Sequence, residues 1–489
     1  METAHSEQHP LCDRNRRVKI LILACCSILW PAMLRSNSRL HLDLGTAGVA
    51  FLEHAAASIE RILPHVSVSS WTEGNWAEPG GFWTGTDRKA LNVRIACGKK
   101  ADGRTLSATV RRRRVAVGTN TGRQTLDVRE HDICNRIARR SSAVIGTAAS
   151  NESALSLTAI REAFDEQIVA EHLKHHHNVE LHFDEVLKAF HQLSEQTYEN
   201  KALTFGCIVD PSRHRVSGGA VFPADLLSSK NKKKYKALSD GFRTAYHVSS
   251  DGALVDFVDL RAFTRFGVLS SVHMFPEWAE DLAAASRDGR CGLCLSRQGD
   301  ILVFEEGSLR FTYRYGRWQY WNHAHLVTLL RDRARTRHVV PASLGKVVAS
   351  IYRAAIDVSF RRSGGLFVIL RNRKSGPSVL RKGDAIGSPA RGHVDVQFDA
   401  ILEKHTIQTL PRAVAAEIAA LDGAVVLDNS GRVLAFGAVL EPKKHGKLQG
   451  TEGSRTKAAI GASKYGVAVK VSSDGEITVY HNGTEFIRI

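Results

Sequence analysis

The sequence predicts an α/β protein with a C-terminal mixed sheet flanked by helices, an α+β region before it, and a poorly defined N-terminal extension. Three observations carry this reading. The last quarter of the chain holds short, continuously apolar runs, Leu366–Leu370, Val425–Leu427, Val433–Leu440, Val467–Val471 and Ile477–Tyr480. Runs of that kind are strands buried on both faces, so helices are expected to cover the sheet. Between residues 155 and 340, apolar residues at helical spacing alternate with strand-like runs. A chain of 489 residues is also too long for one core and implies two or three domains.

From the N-terminus, Ile20–Leu34 is an apolar run preceded by Arg14, Arg16, Arg17 and Lys19. It resembles a signal or anchor segment, but about fifteen residues broken by Pro31 are short for a transmembrane helix. No clear membrane span is read from it. Residues 36–150 carry no clear periodicity, and Arg111–Arg114 is an isolated basic run. Residues 1–150 are therefore taken as an extension whose order the sequence leaves open. Ile160–Leu193 reads as helix, with Ile168, Leu173, Val179, Val186, Leu187 and Phe190 at helical spacing. Leu203–Val209 is a strand closed by the turn signal Asp210-Pro211. Strand-like runs recur at Val255–Leu260, Leu293–Leu295, Ile301–Phe304 and Leu309–Tyr315. The aromatic cluster Trp318, Tyr320 and Trp321 could stack on a base, but packing is the commoner role of such clusters. Leu326–Arg331 and Leu344–Ile356 read as helices leading into the C-terminal module.

The net charge of +17 is unevenly spread. Residues 331–489 hold 25 Lys and Arg against 14 Asp and Glu, whereas residues 151–330 hold 20 against 23. A basic C-terminal segment suits a module that handles anionic nucleotides. The neutral middle argues against a continuous nucleic-acid track. The eight cysteines are sparse and irregular, as in a reducing compartment. Cys291-Gly292-Leu293-Cys294 has no second pair, and a structural zinc needs four ligands, so two small strand or turn residues are the simpler reading. His172, His175, His176, His177 and His182 cluster on helix-like sequence, where most are expected to project into water.

The chemistry concentrates between Leu421 and Tyr480. Asp422-Gly423-Ala424 opens the run Val425–Leu427, and Gly431 marks a turn before Val433–Leu440. Gly453-Ser454-Arg455-Thr456-Lys457-Ala458-Ala459-Ile460-Gly461 reads as a helix start loaded with positive charge, and Ser472-Ser473-Asp474-Gly475 as a turn. An acid at a strand edge, followed about thirty residues later by a cationic helix start, suits a metal-bound polyphosphate. No dinucleotide-binding Gly-x-Gly-x-x-Gly or Walker-type motif is present.

This pattern resembles the diadenylate cyclase (DAC) domain, the catalytic module of the DNA-integrity scanning protein and of membrane-associated bacterial cyclases. The family's signatures are Asp-Gly-Ala and a later Gly-x-Arg-His-Arg-Ala-Ala. The first stands intact at 422–424, and the second as Gly453-Ser454-Arg455-Thr456-Lys457-Ala458-Ala459. Gly364–Ile369 looks like the family's early strand, so the resemblance runs from about residue 340 to the end. Asp251-Gly252-Ala253 repeats the tripeptide, but no cationic helix follows at the right distance. By order and context, residues 155–340 resemble the DACNV-type sensor region found in some bacterial DAC proteins.

The resemblance implies condensation of two ATP molecules into cyclic di-AMP with release of pyrophosphate, in the cytoplasm, where ATP is available. It implies that Asp422 holds Mg²⁺ or Mn²⁺, with Asp474 assisting. Gly423 lets the backbone approach the ligand, and Ala424 leaves room beside it. Gly453, Ser454, Arg455, Thr456 and Lys457 would meet the phosphates, Ser454 as helix N-cap. A homo-oligomer with face-to-face sites is expected. Departures fall on activity more than on fold: Thr456 replaces the motif His, Lys457 the second Arg, Ala420-Leu421 a Leu-His pair, and Ser473-Asp474 an acidic pair. The alternative is a catalytically degenerate nucleotide-binding sensor protein. A third reading is a nucleic-acid-associated scaffold using the basic N-terminal third.

Overall fold

The computed structural model describes residues 45–75, 79–84, 90–96, 104–112, 126–148, 154–198, 201–213, 220–225, 238–266, 273–335, 341–389, 393–441 and 453–489. The apolar run at 20–34 and Arg113-Arg114 lie outside them. Among the described residues, no helix is long and apolar enough to cross a membrane. The chain divides into two compact units, one of residues 1–56, 68–111 and 123–154, the other of residues 57–67, 112–122 and 155–489.

Helix α1 (Gly45–Ile62) begins in the first unit and runs into the second. The rest of the first unit's described structure is a small antiparallel sheet and a long helix. Strands β1 (Thr72–Asn75), β2 (Gly80–Thr84), β3 (Ala90–Ala96) and β4 (Arg104–Arg112) pair β2 to β3, β3 to β4 and β1 to β4. Helix α2 (Val128–Ala148) starts with a reciprocal cap. The Glu130 carboxylate accepts from the Asp127 amide and the Asp127 carboxylate from the Glu130 amide, each at 2.7 Å. This satisfies two donors that a helix start otherwise leaves open. Asn135 then accepts from the Gly81 amide at 3.2 Å, tying α2 to β2. The sequence shows little periodicity here because half-buried arginines, Arg129, Arg136 and Arg140, are interspersed with the buried Ile133, Ile137 and Ile145.

Among its described residues the second unit carries two large sheets and a short two-stranded ribbon, Thr197–Tyr198 against Lys201–Ala202. Helix α3 (Ala154–His177) and helix α4 (Phe183–Ser194) come first, where the periodicity suggests one continuous helix. The break falls at Asn178, which adopts φ 50°, a left-handed conformation that asparagine tolerates well at a helix end. Strands β5 (Phe205–Asp210), β6 (Thr244–Ser249), β7 (Leu254–Asp259), β8 (Cys291–Leu295), β9 (Ile301–Glu305), β10 (Ser308–Arg314) and β11 (Arg317–Tyr320) form the first sheet, in the order β7-β6-β5-β8-β9-β10-β11. β5 and β6 run parallel and the other neighbours antiparallel. Cys291 and Cys294 are buried in β8, and Trp318, Tyr320 and Trp321 are core residues. Of the five clustered histidines, His175, His176 and His182 are exposed, whereas His172 and His177 are buried.

Helices α5 (His323–Ala334) and α6 (Pro341–Arg361) lead to the second sheet. It contains β12 (Gly365–Leu370), β13 (Ala424–Asp428), β14 (Val433–Ala438), β15 (Gly466–Val471), β16 (Ile477–His481) and β17 (Thr484–Arg488), in the order β14-β13-β12-β15-β16-β17. β12 and β13 are parallel and the remaining pairs antiparallel, which makes this a mixed α/β fold. All five apolar runs singled out in the sequence lie in it. Phe367 and Ile369 face a core filled by α6 and by α7 (Arg412–Ala420), and that core continues into the first sheet. Leu366, Val368 and Leu370 face the other side, under α8 (Ser454–Ser463). Burial on both faces is the reason these strands read as unbroken apolar runs. Small residues at the base of α8, Ala459, Gly461, Ala462 and Ser463, let the helix lie close on the sheet.

Candidate functional site

β12 and β13 start, and β14 and β15 finish, at the same end of the second sheet. Since α8 feeds β15 from the other end, its N-terminus also lies at this one. The topology thus gathers Gly364, Asp422, the start of α8 and the 472–475 turn, although they are scattered over more than a hundred residues of sequence.

Gly423 turns the chain into β13 with φ 112°, and a Cβ there would lie 2.4 Å from the Gly437 carbonyl carbon. Only glycine fits so close an approach without strain. The turn holds the Asp422 side chain fully in solvent, while Ala424 is buried behind it. Across the sheet end, Arg455 Nη2 comes to 3.9 Å of Asp422 Oδ1. Gly364, at φ 71°, makes space for that guanidinium, because a Cβ at 364 would meet Arg455 Nη1 at 2.6 Å. Two glycines therefore shape the meeting of one acid with one arginine.

The start of α8 corrects one expectation. The N-cap is Gly453, in extended backbone, with Ser454 as the first helical residue and no side-chain cap hydrogen bond. The first amides of α8 consequently have no side-chain cap, a geometry that favours an anion at this end. Thr456 accepts a hydrogen bond from Lys470 Nζ at 3.1 Å. Lys470 lies in β15 opposite Leu366 and Thr478, and sequence reading missed it. Its only sequence signal is a lone cation inside the run Val467–Val471.

Asp474 sits in the turn after β15, two strands from β13. Its Oδ1 accepts from the Ser472 hydroxyl and from the Glu476 amide, the latter at 3.3 Å. The Ser472 hydrogen bond in particular holds this carboxyl below the usual range. The Tyr315 hydroxyl donates to the Asp474 carbonyl, tying the turn to the hairpin between β10 and β11. The structure thus brings Asp422 and Arg455 together and leaves Asp474 bonded within its own turn. For a hard cation such as Mg²⁺, which takes one or two carboxylates and completes its shell with phosphate and water, the fully exposed Asp422 fits.

A separate cavity of about 580 Å³ opens beside β14, where Arg373, Arg381, Lys382 and Arg432 surround Leu380 and Leu434. None of residues 422–424 or 453–457 lines it.

No family model matches the chain, and no curated protein matches it. Among solved structures, a hypothetical membrane spanning protein from Bacillus cereus is similar over 34% of this chain and 74% of its own, with 20% identity and a TM-score of 0.22. A double cysteine mutant of DacA from Staphylococcus aureus is similar over 29% of this chain and 87% of its own, with 22% identity and a TM-score of 0.19. At such TM-scores the likeness carries no argument about activity.

Proposed function

We propose that residues 341–489 are a DAC-like nucleotide-binding domain that condenses two ATP molecules into cyclic di-AMP, releasing pyrophosphate, under control of residues 155–340. The observation that carries the reading is the 3.9 Å approach of Arg455 to Asp422, 33 positions apart in sequence, at the start of α8. An acid and a guanidinium at one helix N-terminus can serve the two charges of a metal–polyphosphate. Arg455 grips phosphate oxygens with two aligned donors, and Lys457 adds a point charge. The uncapped amides of α8 supply further donors. Asp422 would hold the divalent ion, which neutralises phosphate charge and favours deprotonation of the attacking 3′-hydroxyl. Such chemistry depends on positioning and charge more than on covalent help.

One observation favours the second reading, a nucleotide-binding sensor without turnover. The Thr456 hydroxyl, at the position of the motif histidine, accepts from Lys470 instead of standing open to a ligand. Incubation of the purified chain with ATP and Mn²⁺, followed by mass detection of cyclic di-AMP, separates the two. Product from the wild type and none from Asp422→Asn is the expected result. Tight ATP binding without product moves the protein to the sensor reading, and absence of both overturns the nucleotide site.

A further inference from the structure

We propose that His176, His177 and Glu305, with Cys291 as fourth donor, form a transition-metal site of the zinc class on the first sheet of the second unit. The last turn of α3 brings His176 and His177 over the end of β9, where one donor atom each from His176, His177 and Glu305 lies within 4.8 Å of the others. Cys291 stands directly opposite Glu305 in the β8–β9 ladder. Opposed residues of an antiparallel pair project to the same face with their Cβ atoms about 4.5–5.5 Å apart.

The orientation of His177 is that of a ligand. Its Nδ1 donates to the Gly289 carbonyl at 2.8 Å, which aims Nε2 at Glu305 Oε1, 2.9 Å away. Metal-bound histidines characteristically donate their second ring N–H to a carbonyl or carboxylate. Bonds of roughly 2.0–2.3 Å in a tetrahedron place ligand atoms roughly 3.3–3.7 Å apart. The His176, His177 and Glu305 donor atoms lie between 2.9 Å and at most 4.8 Å apart, a range that includes these values, and Cys291 joins them by turning its side chain on the face it shares with Glu305. Sequence reading treats the histidines and the CxxC as two incomplete motifs. The fold joins a member of each, and Cys294, three residues along β8, is not needed.

The competing account is a plain His177–Glu305 ion pair. It explains those two residues and leaves His176 and Cys291 incidental. Burying the Glu305 carboxylate needs a compensating charge, and a divalent ion supplies one that engages all four groups. On loading, the metal takes the place of the proton on His177 Nε2, and the Cys291 thiol loses its proton. Both protons pass to buffer, and the two negative ligands neutralise the ion. The site would staple the end of α3 to the centre of the sheet.

The test uses the full chain stripped with a chelator and titrated with Zn²⁺ in two buffers of different ionisation enthalpy. Stoichiometric binding with proton release is expected. His176→Ala should weaken that binding roughly tenfold or more. Because His176 is exposed and its contact with His172 is a single ring stack at 5.6 Å, this variant should lower the metal-free thermal midpoint far less than it lowers the midpoint of the zinc-loaded protein. With Co²⁺, the wild type should show a thiolate charge-transfer band that Cys291→Ala removes. Zinc affinity and stoichiometry unchanged by His176→Ala, or a Co²⁺ spectrum indifferent to Cys291→Ala, would overturn the site.

Discussion

Arg455 and Lys457 carry the same charge on the first turn of α8, yet they are not equivalent. Arg455 is aligned over Gly364 with its fork near Asp422, whereas an ammonium at Lys457 offers one diffuse charge. Arg455→Ala should therefore weaken ATP binding more than Lys457→Ala, by about 1.5–3 kcal/mol, the range for a charge-assisted contact. Titration calorimetry reads the difference, and an Arg455 variant with wild-type affinity would place the phosphates elsewhere. Asp422→Asn should abolish any cyclase turnover without loss of fold, since the side chain is fully exposed and packs on nothing. Gly423→Ala should act the other way, through the backbone: the added methyl collides with Gly437, at a cost of about 1–3 kcal/mol in urea unfolding. The sequence singled out Asp422 and Arg455 by their motifs and spacing, and the structure brings the two side chains to 3.9 Å of one another. Lys470 was not singled out, because its role comes from a strand register that no local pattern encodes.

At the scale of elements, the second sheet was readable because its strands are buried on both faces, leaving uninterrupted apolar runs. The first unit was not, since its short strands mix apolar and polar residues and its long helix intersperses half-buried arginines with its apolar residues. The split between α3 and α4 was hidden too, as Val179 continues the apolar spacing across the break. Helix α5 is fixed by a histidine that the sequence did not single out. His323 Nε2 donates to the Leu309 carbonyl at 2.6 Å, and its Nδ1 lies 3.1 Å from the Tyr352 hydroxyl, which donates to it. Burial, reinforced by Arg310, pushes this imidazole down to about 3 from an ordinary 6.5. The unfolded chain takes up a proton below pH 6.5 that the folded chain refuses, so stability is lost as pH falls from 6.5 towards 3. The slope from this group is about 1.4 kcal/mol per pH unit. Comparing His323→Gln with wild type by denaturant titration at pH 7 and pH 5 should show a shallower loss in the variant. Parallel slopes would mean that His323 is already protonated in the folded protein.

At the scale of the molecule, the two large sheets of the second unit meet through buried and charged contacts. Arg412 reaches Asp357 with Nε at 2.7 Å and Nη2 at 2.8 Å, and the Glu277 amide donates to the same carboxylate at 2.8 Å. Arg362 and Arg314 share Asp300, and Tyr315 holds the 472–475 turn. Residues that precede the second large sheet are therefore fastened, within one compact unit, to the end where Asp422 and Arg455 meet, and on the proposed function this is where control would act. A cyclic dinucleotide has two equivalent linkages. Each chain brings together one Asp-Gly-Ala tripeptide and one cationic helix, for Asp251 lies instead in the turn between β6 and β7, where Ser249 donates to its carboxylate. On the proposed function, two chains would present their sites face to face, and a two-fold pair is the simplest closed arrangement. Product formation should rise faster than linearly with protein concentration near the dissociation constant of the pair, as followed by mass detection alongside sedimentation. Tyr315→Phe, which removes one tether of the 472–475 turn and leaves Asp422 and Arg455 intact, should alter turnover while ATP affinity holds. Strictly linear product formation by a protein that sediments as a monomer would rule the paired mechanism out, because one chain alone would then have to activate both nucleotides.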